Sequence, residues 1–458
     1  MSGRLLVRGG RIVDPSQGID TVGDVLIRDG RVASVSLEGQ EEIALQGITI
    51  LEASGLVVSP GFIDLHCHLR EPGSEEKETI ATGSLAAVNG GFTTLCVMPN
   101  TDPPLDTAPL IQFLRQRAKE VGLARLLPIA CITRGRAGQR LVEMGELVEA
   151  GAVGFSDDGD PVEDPFLMRM ALMYSAPLGV PIIDHCQDPS LTQGGQIHEG
   201  WVASRLGLKG MPSAGEEVMA ARDIELAALT GGHIHLAHIS TSGTLDLVRN
   251  ARSRGVVVTA EVTPQHLFLS EEAVLGQVLE VGEADPYAPL TPFAYDTRAK
   301  VNPPLRPRQD VQALIHGLQA GAIDAIATDH APHNLVDKAC PFDEAAFGIS
   351  ILETGVGMLL SLVARGALDL STVVRHLTIG PARVMGPRWS QFGTLKPGAV
   401  GDVTIFDPDE KWIVNTDDFA SRGKNSPLEG QTLQGRVVAT VVGGRIVHDR
   451  SGIARGPR

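Results

Sequence analysis

The feature that most constrains the fold of this chain is an alternation of short apolar runs with longer segments of helical character across residues 59–387. The intervening segments carry apolar residues three and four positions apart and often end in glycine, as amphipathic helices do. Eight runs have strand character: GFIDLHCH, TTLCVM, RLLPIACI, AVGF, VPIIDH, HIHLAH, GVVVTAEV and IDAIATD. This pattern predicts an α/β fold with a TIM-like (β/α)8 barrel, whose chemistry lies at the carboxyl ends of the strands. A doubly wound open sheet gives a similar pattern and is the alternative.

The two ends of the chain have a different texture, with short strands and tight turns. Asp29-Gly30 and Gly443-Gly444 each lie between β-rich flanks, which is typical of two-residue hairpin turns. We therefore predict a small β-sandwich domain built from both termini, residues 1–58 and 388–458, beside a hydrolase barrel of residues 59–387. A long Pro- and Ala-rich segment, residues 267–301, breaks the alternation and is interpreted as a surface excursion on the loop side of the barrel.

Composition excludes several classes of protein. The formal net charge of −16 argues against nucleic acid as a partner, because phosphate binding requires clustered lysine and arginine. No apolar run approaches the roughly 18 residues of a membrane span, and the first residues lack the features of a signal peptide. The 5 cysteines are far apart without a CxxC pair, which favours neither a disulfide framework nor a cysteine zinc site. We expect a cytoplasmic protein without membrane contact.

Ionisable side chains stand at the ends of several predicted strands. His66 and His68 are two positions apart on the first barrel strand, so both imidazoles face the same way, with Cα atoms about 6.6 Å apart. His185, His238 and Asp329 each end another run. Imidazole and carboxylate groups suit zinc and related divalent ions, and one shared metal centre would satisfy all of them. Five ligands suit two metals roughly 3.5 to 4 Å apart.

Two metals need a bridging group that presents an oxygen to each ion. A carbamylated lysine on the fourth strand often serves in barrel enzymes of this kind, but no lysine occurs between Lys119 and Lys209. Asp157 and Asp158, at the end of the fourth strand, are the carboxylates available there. Neighbouring side chains on a strand face opposite ways, so one of the two is expected in the centre unless the backbone turns between them. An ordinary Asp-Asp-Gly turn without a metal role is the alternative.

Six motifs, in chain order, resemble those of the bacterial type I dihydroorotases of the amidohydrolase superfamily. They are DLHCHLREPG (64–73), MPNT (98–101), DHCQD (184–188), AHIST (237–241), VNPPLR (301–306) and ATDHAPH (327–333). The likeness covers nearly the whole chain, and HLREPG, MPNT and NPPLR together are specific to dihydroorotase-like members. The long 267–301 segment departs from the family pattern.

The resemblance implies a role for each matching residue. His66 and His68 would bind one zinc ion and His185 and His238 the other, with Asp158, the second Asp of the [ST]DDG motif, as the bridge. Asp329 would be a metal-bound general base. The residues implied to contact substrate are His68, Arg70, Asn100, Asn302, His333, Phe347 and Gly348.

The activity implied is the reversible closure of N-carbamoyl-L-aspartate to L-dihydroorotate and water, in de novo pyrimidine biosynthesis. One or two zinc ions per chain would hold the attacking hydroxide, and Asp329 would carry its proton. Self-association, or association with aspartate carbamoyltransferase, is also implied. The alternatives are a hydantoinase or allantoinase, and a catalytically silent subunit that supports the transferase, although every expected ligand remains here.

Overall fold

The computed structural model describes residues 3–37, 47–276 and 289–456. Its strands are β1 (Arg4–Asp14), β2 (Ile19–Arg28), β3 (Arg31–Leu37), β4 (Thr49–Glu52), β5 (Val57–Pro60), β6 (Phe62–Cys67), β7 (Phe92–Val97), β8 (Arg125–Ala130), β9 (Gly154–Phe155), β10 (Ile182–Asp184), β11 (Ile197–His198), β12 (Gly210–Met211), β13 (Ile234–Leu236), β14 (Val258–Val262), β15 (Ala325–Ile326), β16 (Val403–Ile413), β17 (Thr432–Val442), β18 (Arg445–Asp449) and β19 (Ala454–Arg455). Its α-helices are α1 (Ile80–Asn89), α2 (Ala108–Val121), α3 (Met144–Ala150), α4 (Pro165–Ser175), α5 (Pro189–Thr192), α6 (Trp201–Leu206), α7 (Ala214–Thr230), α8 (Ser242–Ser253), α9 (Pro264–Phe268), α10 (Arg308–Gln319), α11 (Gly355–Ala364), α12 (Leu370–Leu377) and α13 (Ile379–Val384).

Eight parallel strands form the barrel, and each corresponds to one predicted strand. Their order is β6-β7-β8-β9-β10-β13-β14-β15, which follows the chain. The last strand returns to the first, because Asp329 N donates to His66 O and His68 N donates to His330 O, both at 2.9 Å. The prediction of a TIM-like barrel is therefore confirmed, and the open doubly wound sheet is excluded by this return.

A change of register in β6 directs the two histidines of the first strand inward. The pairing of β6 with β7 shifts between Asp64 and Cys67. Beyond the shift, Cys67 and Leu69 belong to the main hydrophobic cluster. Because neighbouring strand residues alternate in direction, His66 and His68 are left on the inner face of the barrel.

Several helices begin at a residue whose side chain satisfies a free backbone N–H group. Thr79 accepts from Thr82 N at 3.1 Å, and Thr241 accepts from Thr244 N at 3.1 Å. Such caps stabilise the start of a helix by about 1 kcal/mol. The AHIST motif thus connects the end of β13 to the start of α8.

The chain ends form a separate, strand-rich sheet. Its path is β18-β17-β16-β5-β1-β2-β3, and β4 and β19 join beside β1. The two ends meet where β16 pairs antiparallel with β5, with Val403 opposite Pro60. Both predicted hairpins are confirmed by the pairing of β2 with β3 and of β17 with β18. The exact boundaries at residues 58/59 and 387/388 stay a prediction.

The structure corrects part of the interpretation of the 267–301 segment. Residues 277–288 of this segment lie outside the described residues. Residues 267–275 are buried rather than on the surface, since their Leu, Phe and Val side chains join the main hydrophobic cluster. Residues 289–292 are exposed, as expected for an excursion.

Two further expectations concern cysteines and membranes. All five cysteines are free, and four of them are buried. This agrees with small apolar core residues rather than a disulfide framework. Among the described residues, no helix is long and apolar enough to cross a membrane.

Candidate metal centre and substrate pocket

Asp158 lies among four histidines that come from three barrel strands or their carboxyl ends: His66 and His68 from β6, His185 from β10 and His238 from β13. Its Oδ1 atom is 3.3 Å from His66 Nε2, 3.6 Å from His185 Nδ1 and 3.8 Å from His238 Nε2. Its Oδ2 atom is 3.5 Å from His68 Nε2. Burial alone would raise the pKa of Asp158, but the charge on His66 and the close approach of the His185 and His238 rings hold it well below its usual range. One oxygen of the carboxylate thus faces three imidazoles, and the other faces the fourth.

Asp157 faces away from this cluster. Its Oδ1 atom accepts from Ile132 N at 2.8 Å and Thr133 N at 3.1 Å, and its Oδ2 atom accepts from Thr133 Oγ1. Burial raises the pKa of Asp157 to about 6. The Asp157 side chain therefore holds the loop that follows β8, whereas the neighbouring Asp158 carboxylate faces the histidines.

Asp329 faces the cluster from the end of the last barrel strand. Its Oδ1 atom is 3.2 Å from His68 Nε2 and 3.8 Å from His66 Nε2. Burial opposes ionisation, but the hydrogen bond from His68 and the charge on His66 lower the pKa of Asp329 below its ordinary value. The group is a carboxylate able to accept a proton within the site.

Three residues at the site have left-handed backbone conformations. The φ angles are 61° at Arg70, 33° at His238 and 49° at Asp329. Residues other than glycine rarely adopt this region, and such strain concentrates at functional sites. The surrounding fold therefore imposes the direction of these three side chains.

The donor set fits a divalent metal. Among the described residues, two overlapping groups have all their ligand atoms within 4.8 Å of one another: His66, His68 and Asp329, and His66, Asp158 and His238. The buried atoms His66 Nε2, Asp158 Oδ1 and His238 Nδ1 lack hydrogen-bond partners. Buried polar atoms are rarely left unpaired, and a cation would satisfy the two that face each other, His66 Nε2 and Asp158 Oδ1.

Glu261, which was not predicted from the sequence, supports the cluster from behind. This buried carboxylate on β14 is 3.1 Å from His66 Nδ1 through Oε1 and 3.1 Å from His235 Nε2 through Oε2. A carboxylate on Nδ1 fixes the ring so that Nε2 faces the metal position. The signal was a single Glu within the apolar run GVVVTAEV.

Gln187 was missed as well, although it lies in the DHCQD motif. Its Oε1 atom is 2.8 Å from His185 Nε2 and accepts from Asn302 Nδ2 at 2.6 Å. Asn100 supports another histidine, since its Oδ1 atom is 2.8 Å from His68 Nδ1. These amides orient the imidazole rings at the edge of the cavity.

A cavity of about 270 Å³ opens onto the cluster. Apart from His66, which is buried behind it, every predicted site residue lines this cavity: His68, Arg70, Asn100, Asp158, His185, His238, Asn302, Asp329, His333, Phe347 and Gly348. Arg70 Nη2 is 3.5 Å from His333 Nε2, and the same nitrogen of His333 is 2.8 Å from Phe347 O. Burial and the charge on Arg70 lower the pKa of His333 to about 3, so its imidazole is neutral at pH 7.

A barrel of this kind, with imidazoles and carboxylates gathered at the strand ends, is the architecture of the metal-dependent amidohydrolases. Residues 236–448 match the model of the amidohydrolase family, and residues 55–244 match a model described as dihydro-orotase-like. Two relatives named dihydroorotase cover the chain almost completely. The protein from Pelotomaculum thermopropionicum is 48% identical over 97% of this chain and 98% of its own length, and that from a Geobacter species is 47% identical over 97% and 99%. The chain belongs to the dihydroorotase family.

Solved structures agree with this fold. The L-hydantoinase (dihydropyrimidinase) from Arthrobacter aurescens superposes with a TM-score of 0.83 at 25% identity, covering 100% of this chain and 98% of that one. The dihydropyrimidinase from Brevibacillus agri gives a TM-score of 0.77 at 20% identity, covering 98% and 95%. The second likeness concerns the fold alone.

Proposed function

We propose that this protein is a dihydroorotase that interconverts N-carbamoyl-L-aspartate and L-dihydroorotate in pyrimidine biosynthesis. The observation that carries the proposal is one cavity in which a cationic Arg70 lies beside the Asp158-centred cluster. A carboxylated substrate needs a cationic clamp, and hydrolysis of an amide needs an activated water. Similarity to relatives named dihydroorotase over the full chain supports the same substrate.

His66, His68, His185 and His238 would hold one or two zinc ions, with Asp158 as the bridge in place of a carbamylated lysine. The distances from its two oxygens to imidazoles on both sides of the cluster support that role. When bound, zinc polarises a carbonyl group and makes water a stronger nucleophile near neutral pH. Glu261 and Asn100 keep the ring nitrogens of His66 and His68 in the tautomers that ligation requires.

Asp329 would move the proton. In hydrolysis its carboxylate takes a proton from the attacking water and delivers it to the ring nitrogen as the C–N bond breaks, which leaves N-carbamoyl-L-aspartate. In the biosynthetic direction the same carboxyl group returns the proton as the C–N bond forms and water leaves. Its contact with His68, together with its lowered pKa, supports its availability as a base.

The remaining cavity residues would bind the substrate. The Arg70 guanidinium would pair with the α-carboxylate, which it can contact through two N–H groups. Asn302 and the neutral His333 would add hydrogen bonds, and the backbone at Phe347 and Gly348 would contact the pyrimidine ring. All of these residues line the same cavity.

Turnover of dihydroorotate, hydantoin and allantoin by the metal-loaded protein tests the substrate. We expect preference for dihydroorotate, and cyclisation of N-carbamoyl-L-aspartate in the reverse assay. The hydantoinase alternative has the support of the L-hydantoinase likeness, so faster turnover of hydantoin would replace the present proposal.

The role of Asp329 is tested by Asp329→Asn. The amide keeps the shape and one oxygen but cannot accept the proton, so kcat should fall about 100-fold or more while zinc remains bound. Steady-state kinetics and metal analysis of the same preparation check this. Unaltered turnover would assign the proton transfer to another group.

We further propose a cytoplasmic enzyme that self-associates or binds aspartate carbamoyltransferase. Charge and family similarity support a soluble partner rather than a nucleic acid. Sedimentation of the purified chain, alone and mixed with the transferase, separates a monomer from either assembly.

A further inference from the structure

Two lysines are buried beside the substrate cavity and contact backbone carbonyl groups. Lys300 is 1% exposed and Lys338 is 5% exposed. The hydrogen bonds that the structure gives for both side-chain nitrogens go to backbone carbonyl oxygens. Burial of an ammonium group is costly unless its N–H groups are hydrogen-bonded, so the burial of these two lysine side chains requires an explanation.

Lys338 joins two segments of the chain that are distant in sequence. Its Nζ atom donates to Ala346 O at 2.6 Å, Thr297 O at 3.0 Å and Lys300 O at 3.2 Å. In its protonated form this nitrogen has three donors and no acceptor, so the three carbonyls satisfy it fully. In its neutral form it still donates to two of them. Thr297 Oγ1 donates in return to Lys338 O at 2.6 Å.

Lys300 makes the reciprocal connection. Its Nζ atom donates to Phe342 O at 2.7 Å and Asp343 O at 3.2 Å, and it lies 4.5 Å from the centre of the Phe347 ring. Its own carbonyl accepts from Gly348 N at 2.9 Å. The cation over the aromatic face adds a further favourable contact.

Each of the two joined segments carries residues that line the cavity. The segment 297–302 ends at Asn302, and the segment 337–348 ends at Phe347 and Gly348. The chains approach closely there: Gly348 has a φ of 139°, and a Cβ atom would meet Ala331 O at 2.7 Å. In the described chain, Asn302, Phe347 and Gly348 belong to no helix or strand, so the lysine contacts and the Asn425 amide, which donates to Gly348 O, hold them in place.

We propose that Lys300 and Lys338 are positioning residues for substrate binding, which hold Asn302 and the Phe347-Gly348 backbone at the distance that the pyrimidine ring requires. This inference rests on the proposed function. The two ammonium groups act as internal cross-links between carbonyl groups, and neither touches the substrate or the metal cluster.

The test replaces each ammonium group by an apolar side chain of similar length, in Lys338→Met and Lys300→Met. We expect KM for dihydroorotate to rise about tenfold while kcat stays within about threefold, because binding contacts are lost and the chemistry is untouched. Bound zinc should stay at the wild-type level. Lys411→Met, at an exposed position on β16, is the matched control and should leave KM unchanged.

A second readout follows the segments themselves. Hydrogen exchange of the Gly348 amide, which donates to Lys300 O, should accelerate in both variants while amides of the barrel strands keep their protection. Uniform acceleration over the barrel would overturn the inference in favour of a general structural role.

Each outcome has one meaning. Unchanged KM in a folded Lys338→Met protein overturns the inference, and Lys300→Met decides on the same criterion if the first variant does not fold. A wild-type protein that binds zinc but does not turn over dihydroorotate contradicts the proposed function instead. Loss of zinc in either variant also counts against positioning.

Discussion

At the scale of single residues, the two adjacent carboxylates that follow β9 have different roles: Asp157 holds a loop in place, and Asp158 faces the histidine cluster. Asp157 accepts three hydrogen bonds from the loop after β8, and Asp158 turns toward four imidazoles. Both residues follow β9, which ends at Phe155, so their different contacts arise in the turn after the strand. Residue types and spacing left the choice within the pair open, and the family resemblance favoured Asp158. In the structure Asp158 faces the imidazoles, whereas Asp157 contacts the loop after β8.

The first prediction compares the two amide variants. Asp158→Asn should lose most bound metal, because the amide carries no charge and offers one oxygen instead of two. Asp157→Asn should keep the metal but lower the free energy of unfolding by about 1–3 kcal/mol, since its NH₂ group would oppose backbone donors. Metal analysis and denaturant unfolding measure both effects. Metal loss in Asp157→Asn alone would reverse the assignment.

The second prediction concerns Glu261. In Glu261→Gln the acceptor for His66 Nδ1 loses its charge, and zinc affinity should fall about 10- to 100-fold. Competition with a chromophoric chelator measures this affinity, and thermal unfolding of the metal-free protein serves as the control for folding. If the folded Glu261→Gln variant binds zinc as tightly as the wild type, Glu261 does not support metal binding.

At the scale of elements, the barrel strands and the helices between them were predictable, and the burial of the segment after β14 was not. Each barrel strand is a short apolar run bounded by glycine or by an ionisable group, so both its existence and its functional end can be read from the sequence. Residues 267–275 have no such periodicity, and they are buried because neighbouring helices cover them. Glu261 was missed for a related reason: its partners, His66 and His235, come from other strands.

The third prediction follows from the lowered pKa of Lys338. Burial, and then the charge on Lys300, lower this pKa from 10.5 to about 7, while Asp296, Asp337 and Cys340 oppose the change. Between pH 7 and pH 10.5 the unfolded chain therefore binds a proton that the folded chain has released. The free energy of unfolding contributed by this group rises with pH across that window.

Denaturant unfolding at several pH values tests this sign. The stability of the wild type minus that of Lys338→Met should increase as pH rises from about 7 to about 10. Below that window both states carry the proton, so the difference should be flat. A difference that decreases with pH would show that the folded state favours the charged ammonium group.

At the scale of the whole molecule, the segment between β16 and β17 reaches from the terminal sheet to the substrate cavity. Asn425 Nδ2 donates to Gly348 O at 3.0 Å and Ala331 O at 3.1 Å. Its Oδ1 atom accepts from His333 N at 2.9 Å and Ser350 Oγ at 2.7 Å. One buried amide thus completes four hydrogen bonds around the cavity wall. The role of Asn425 cannot be predicted from a local sequence pattern, because its hydrogen-bond partners precede it by 75 to 94 positions.

The fourth prediction is that Asn425→Ala raises KM for dihydroorotate and destabilises the fold by about 1–3 kcal/mol, because buried partners lose their hydrogen bonds. Bound zinc should be unaffected. Kinetics and unfolding of this variant are compared with Asn250→Ala, an exposed position in α8. An unchanged KM would show that the contacts made by Asn425 do not affect substrate binding.

The seam where the last barrel strand meets the first runs through the metal cluster. His68 and Asp329 are 261 positions apart in the chain, and their backbones meet at this seam. During synthesis the early ligands leave the ribosome long before Asp329 is made. The proposed base and the proposed metal ligands therefore come together only in a chain whose barrel has closed, so turnover, rather than metal binding alone, would report that the barrel is complete.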